Sequence, residues 1–104
     1  MAQGDNYTRN KIVEMMFGDW FFKKDNTEIT LRINNRKVII TTITNGKSTV
    51  NEISANSNWT DDKLLFTEKQ RYFVKYADEF ELVFGEVNAP AVNDILWERK
   101  FERV

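Results

Sequence analysis

A chain of 104 residues with a formal net charge of −1 and 13% aromatic content is the size of one modest domain whose apolar surface sits in a few large side chains. Its 15 basic and 16 acidic residues are mixed along the length, so there is no basic face for nucleic acid or for an anionic membrane. It has neither cysteine nor histidine, which excludes a disulfide framework, a thiolate nucleophile or metal site, and the commonest general base and transition-metal ligand.

Met1 to Asn6 carries neither the basic nor the apolar region of a secretion signal. No apolar run reaches the roughly 20 residues that a membrane helix needs. The expected location is the cytoplasm, or a secreted or periplasmic one where a signal has been removed. From Asp5 or Asn6 to Phe17, the apolar residues Ile12, Val13, Met15 and Met16 recur near helical spacing. Asp5, Asn6 and Thr8 are candidate N-caps and Gly18 the stop, which predicts a helix of two to three turns with one face plugging a core.

After Gly18 the period changes to two. Trp20 and Phe22 share a face, with Lys24 at the exit of the strand, and Asp25-Asn26 is a turn. Thr27 to Asn34 alternates, with Ile29, Leu31 and Ile33 inward. Lys37 to Thr44 is a β-branched run with apolar residues on both faces, the pattern of a strand covered on two sides or lying at a subunit contact. Asn45-Gly46 is the strongest hairpin signal, because a type I′ turn requires positive φ at both central residues. In the return strand, Lys47 to Ser54, Val50 and Ile53 break strict alternation and predict a bulge.

Asn56 to Asp62 resembles a calcium-binding loop in its alternate oxygen side chains, but it lacks the turn glycine and a glutamate at the bidentate position. It reads as a polar turn with Asx hydrogen bonds flanking a short strand at Trp59. Lys63 to Glu68 is a strand, and Arg71 to Ala77 another, with Tyr72, Val74 and Tyr76 on one face. Glu79 to Gly85 places Phe80, Leu82 and Phe84 together. Glu86 to Asn93, with the single proline Pro90, reads as a longer connection. The last strand, Asp94 to Arg103, aligns Ile95, Trp97, Arg99, Phe101 and Arg103.

The fold class expected is all-β: about eight antiparallel strands in an up-and-down barrel after one short helix, with residues 1–17 and 18–104 forming a single domain. An open, curved sheet with one helix packed on it is the alternative. Gly18-Asp19-Trp20 is a G-x-W motif opening a first strand after a short N-terminal helix, and this arrangement resembles the start of the lipocalin-like (calycin) barrels. The resemblance implies that Trp20 closes one end of the barrel and that a basic residue of the last strand crosses its ring. Arg99 is the first candidate for that contact and Arg103 the second. The chain departs from secreted lipocalins in its length, its lack of cysteines and the absence of a second motif. It also lacks the helix pair that lids intracellular fatty-acid-binding barrels.

Two functional readings follow. In the first, the barrel mouth binds a small hydrophobic or carboxylate-bearing molecule. Trp20, Phe22, Tyr72, Tyr76, Phe84, Trp97 and Phe101 are the apolar lining and Arg99 the polar anchor, unless the aromatics simply fill the interior and Arg99 only braces Trp20. In the second, the core is filled and Val38 to Ile43 pairs with a partner or with a second copy of the chain. Catalysis is the least supported class: the available carboxylates, Asp61, Asp62, Asp78 and Glu79, fall in turns, and although Tyr72 or Tyr76 could act in a pocket, nothing selects them for it. No cofactor and no metal ligand set is expected.

Overall fold

The computed structural model describes residues 2–104, with side chains from Tyr7 onward. Helix α1 spans Ala2–Met15, so Asp5, Asn6 and Thr8 lie within it rather than capping it, and the helix stops before Gly18. Ile12 and Met16, one helical turn apart, are buried in the main core. The helix lies across one end of the sheet. Arg9 donates from Nη2 to the Asp61 carbonyl at 3.0 Å and stands 4.8 Å from the Trp59 ring centroid. Lys11 pairs with Glu79 at 3.8 Å.

Nine strands follow: β1 (Gly18–Lys24), β2 (Thr27–Ile33), β3 (Lys37–Thr44), β4 (Lys47–Ser54), β5 (Ser57–Thr60), β6 (Lys63–Phe66), β7 (Tyr72–Ala77), β8 (Glu81–Asn88) and β9 (Ala91–Arg103). They form one curled half-barrel sheet in the order β4-β3-β2-β1-β9-β8-β7-β6-β5. The count is nine where about eight were expected, and the short strand expected at Trp59 is among them, pairing with β6 over Ser57–Thr60. All eight neighbouring pairs are antiparallel. The two edge strands β4 and β5 therefore run in the same sense, and only Ala55 and Asn56 separate them in the chain.

Local chemistry accounts for the tight turns. Asn45 and Gly46 have φ of 52° and 82°, the primed-turn geometry that suits the twist of a hairpin, and Asp25 with φ 55° serves the β1–β2 turn. The bulge expected in β4 is absent, since its register with β3 is unbroken from Lys47 to Ser54. Val50 and Ile53 are three positions apart, so a regular strand points them to opposite faces: Ile53 is buried and Val50 is 61% exposed.

Bulges occur instead on the other half of the sheet. One between Val74 and Tyr76 shifts the β7–β8 register, so Ala77 is buried and Tyr76 turns outward. Phe80, expected inside a strand, sits in the β7–β8 turn and is 74% exposed. The expected long connection at Glu86 to Asn93 is also corrected. β8 continues to Asn88, a two-residue turn at Ala89-Pro90 with a cis peptide follows, and β9 begins at Ala91.

The main core lies on the concave face, where Trp20, Leu31, Val38, Phe66, Phe84 and Phe101 are among the fully buried side chains. A smaller cluster of Leu65, Phe73 and Val87 occupies the opposite face. Gly85, directly opposite Phe73, leaves room for its ring on this face: a Cβ there would come within 2.6 Å of the Phe73 ring and would collide with the Trp97 carbonyl.

Candidate functional site

Pairing between β1 and β9 fixes which arginine reaches Trp20. Trp20 is opposite Arg103 and Phe21 opposite Glu102. The Arg103 guanidinium carbon accordingly lies 4.1 Å from the Trp20 ring centroid, while that of Arg99 lies 5.8 Å from the Phe22 ring. The first candidate for the Trp20 contact is corrected to the second. Arg103 also donates to four carbonyls: Met15 at 2.6 Å, Glu79 at 2.9 Å, Phe17 at 3.0 Å and Asp78 at 3.1 Å. Trp20 donates its indole N–H to the Met16 carbonyl at 2.8 Å. This end of the sheet, where α1 lies, is closed by packing and hydrogen bonds.

The opposite end holds a cleft of about 440 Å³. Its apolar surface comes from Phe22, Ile29 and Trp97, and its polar rim from Lys24, Asp25, Thr27 and Arg99. Three of the residues expected to bind a ligand, Phe22, Trp97 and Arg99, thus meet in one place. The others do not join them. Trp20, Phe84 and Phe101 are fully buried core, Tyr72 is buried, and Tyr76 is exposed on the outer face. Phe84 connects the two groups, stacking on Tyr72 at 5.8 Å and touching Trp97 and Phe101 at 6.0 Å each.

Electrostatics divides the cleft from its surroundings. Arg99 donates from Nη1 to the Glu98 carbonyl at 3.0 Å. Among the described residues, neither Arg99 nor Lys24 has a carboxylate within ion-pair distance. Both side chains are exposed, so each presents a full positive charge to whatever enters.

Behind the cleft wall is a polar cluster that sequence reasoning missed. Glu86 is buried; its Oε1 accepts the Trp97 indole N–H at 2.8 Å and its Oε2 pairs with Arg71. The carboxylate holds the indole in the orientation that forms the wall, and the arginine balances its charge. Burial, and then the neighbouring Glu86 charge, raise the Tyr72 hydroxyl above its ordinary pKa. Asn51 of β4 donates to this hydroxyl at 3.4 Å, reaching from one margin of the sheet to β7. The available signal for Glu86 was its parity with Leu82 and Phe84, which puts a carboxylate on an otherwise apolar face.

Where β1 meets β9 the ladder is short. Beyond the rungs at Trp20–Arg103 and Phe21–Glu102 no further pairs form, although Phe22 and Phe101 keep ring contact at 5.6 Å. Continuing the same register sets Lys23 opposite Lys100 and Lys24 opposite Arg99. Like charges directly opposite one another oppose strand pairing, and the ladder ends where these positions begin. The cleft opens at this parting.

Compared with protein-family models, with curated proteins and with solved structures, the chain finds no match in any of the three. No helix of the described residues is long and apolar enough to cross a membrane.

Proposed function

We propose that this chain is a non-catalytic, lipocalin-like binding module that takes a small apolar or amphipathic molecule, carboxylate-bearing in the favoured case, in the cleft at its open end. One observation carries the reading. Arg99, without a carboxylate partner among the described residues, stands over the Phe22 ring beside Trp97 and Lys24. An apolar floor with a few convergent polar groups is the usual composition of a small-molecule site, and its volume falls within the roughly 300–1,000 Å³ range of such sites. Lipocalin-like kinship is supported by Arg103 crossing Trp20 and tying the last strand to the end of the helix.

The test uses two dyes with one skeleton, 8-anilino-1-naphthalenesulfonate and its uncharged analogue N-phenyl-1-naphthylamine. Both are expected to bind the native protein with enhanced emission, and the sulfonate more tightly. Arg99→Ala should remove that preference. Equal affinity for the two dyes, or a preference that survives Arg99→Ala, contradicts the assignment of Arg99 as anchor.

Assembly through a sheet edge is the second reading. β3 lies between β2 and β4 and uses both its ladder sides, so Val38 to Ile43 offers no free edge. The edge belongs to β4, whose residues Lys47 to Glu52 are all exposed. Sedimentation of the native protein distinguishes the two readings, because a monomer across the micromolar range excludes the second.

A further inference from the structure

We propose that the parted stretch of β1 and β9 is a clasp worked by an anion: the oxyanion of an amphipathic ligand bridges Lys24 and Arg99, and its arrival lets the two strands pair over the bound molecule. The inference deepens the binding reading above and rests on it.

Four cations flank the parting, and they are not equivalent. On the outer face, Lys23 pairs with Glu28 at 3.5 Å and Lys100 with Glu81 at 3.6 Å. On the face that lines the cleft, Lys24 and Arg99 have no such partner among the described residues. Positive charge without an ion-pair partner is therefore concentrated on one prospective position, directly above the apolar contact of Phe22 with Phe101, and Asp25 is the one carboxylate among the residues lining the cleft. A carboxylate, sulfonate or phosphate oxygen pair accepts from an ammonium and a guanidinium together. Placed between Lys24 and Arg99, it turns the repulsion that holds the strands apart into an attraction that joins them. The apolar body of the same molecule then lies on Phe22, Ile29 and Trp97. A ligand that interacts better with the paired than with the parted arrangement shifts the population to the paired one. An uncharged molecule of the same shape fills the floor and leaves the clasp open.

Hydrogen exchange followed by mass spectrometry tests this on the full chain, with the two dyes as probes. The sulfonate should slow exchange of the Lys23 and Lys100 amides, which face across the parting between β1 and β9 because Val104 N–H bonds the Asp19 carbonyl in the same ladder, by about tenfold or more, and the uncharged dye should not. Lys24→Glu supplies the missing negative charge within the chain. It should slow the same amides with no dye present and weaken the sulfonate roughly tenfold or more. Sulfonate binding with these amides exchanging as in the free protein overturns the clasp and leaves the pocket standing. Lys24→Glu without added protection overturns it as well. Failure of both dyes to bind the native protein overturns the pocket and the clasp together.

Discussion

The Arg103 guanidinium lies across the Trp20 ring with its central carbon 4.1 Å from the ring centroid, and the two residues are also direct partners on adjacent strands. A single side chain thus covers the aromatic plug and donates to carbonyls of the helix terminus and of the β7–β8 turn. Arg99, on the same strand and face, makes none of those bonds.

The two arginines should therefore separate stability from binding. Arg103→Ala removes charge-assisted hydrogen bonds worth ~1.5–3 kcal/mol each at most and a cation–π contact of ~0.5–2 kcal/mol. Allowing for partial exposure and replacement by water, a loss of about 2–4 kcal/mol is expected in urea unfolding. Arg99→Ala should stay within about 0.5 kcal/mol of the native protein in the same assay. Equal losses for the two would mean that the Arg103 contacts add no stability beyond that of an exposed arginine.

Gly18 has φ of +133°, and a Cβ there would come within 2.7 Å of Arg103 Nη1. Gly18→Ala combines backbone strain with displacement of the guanidinium, and about 1–3 kcal/mol of destabilisation is expected. In the Arg103→Ala background only the strain remains, so the double variant should lose less than the sum of the two single changes. Additive losses in the cycle would show that the glycine and the arginine act independently.

Glu86→Ala leaves the Trp97 indole N–H and Arg71 without their acceptor. A cost of about 1–3 kcal/mol is expected, together with a red shift in tryptophan emission and weaker binding of both dyes as the cleft wall loosens. Unchanged emission and dye affinity would show that Trp97 is held by packing alone.

Asp78 accepts from the Phe80 and Glu81 backbone N–H groups at 2.8 Å and from the Tyr76 hydroxyl at 2.7 Å. The Phe80 N–H first, then the Tyr76 hydroxyl and the Glu81 N–H, hold its carboxyl below the ordinary value of 3.8. A depressed folded-state pKa contributes stability that is fully present above the unfolded value and is lost as pH falls through the folded one. Unfolding free energy should therefore decline below about pH 4, and Asp78→Asn should make that decline shallower. Identical acid limbs for the two proteins would remove Asp78 from the account.

Tyr76, donating to Asp78, has its hydroxyl pKa raised by that hydrogen bond. Tyr76→Phe should release the Asp78 carboxyl toward its ordinary range. A carboxyl titration followed by NMR would show the upward shift, and an unmoved midpoint would assign the depression to the backbone N–H groups alone.

What the sequence made legible was local. Alternation in Thr27 to Asn34 gave β2, and Asn45-Gly46 gave the β3–β4 hairpin, because side-chain parity and turn geometry are written within a few consecutive residues. The choice between Arg99 and Arg103 was not. Both have the same parity on β9, and only the pairing register with a strand some eighty residues earlier decides which one meets Trp20. The bulge at Val74 and Tyr76 was equally hidden, since an inserted residue carries no side-chain signature, yet it moves Tyr76 from the inner face to the outer. In the candidate site, Phe22, Trp97 and Arg99 followed from parity. Glu86 is hidden in the sequence because the stretch to Asn93, with Pro90, has the composition of a connection.

The same-sense run of β4 and β5 gives the molecule a gap whose margins are tied covalently at one place, Ala55-Asn56. Every other turn joins neighbours that are already laced by backbone hydrogen bonds, and extra residues there would only lengthen a surface loop. At Ala55-Asn56 the chain is the suture itself. Its length sets how far the two margins can separate at this end of the strands, and the Asn51–Tyr72 hydrogen bond crosses the gap further along β4.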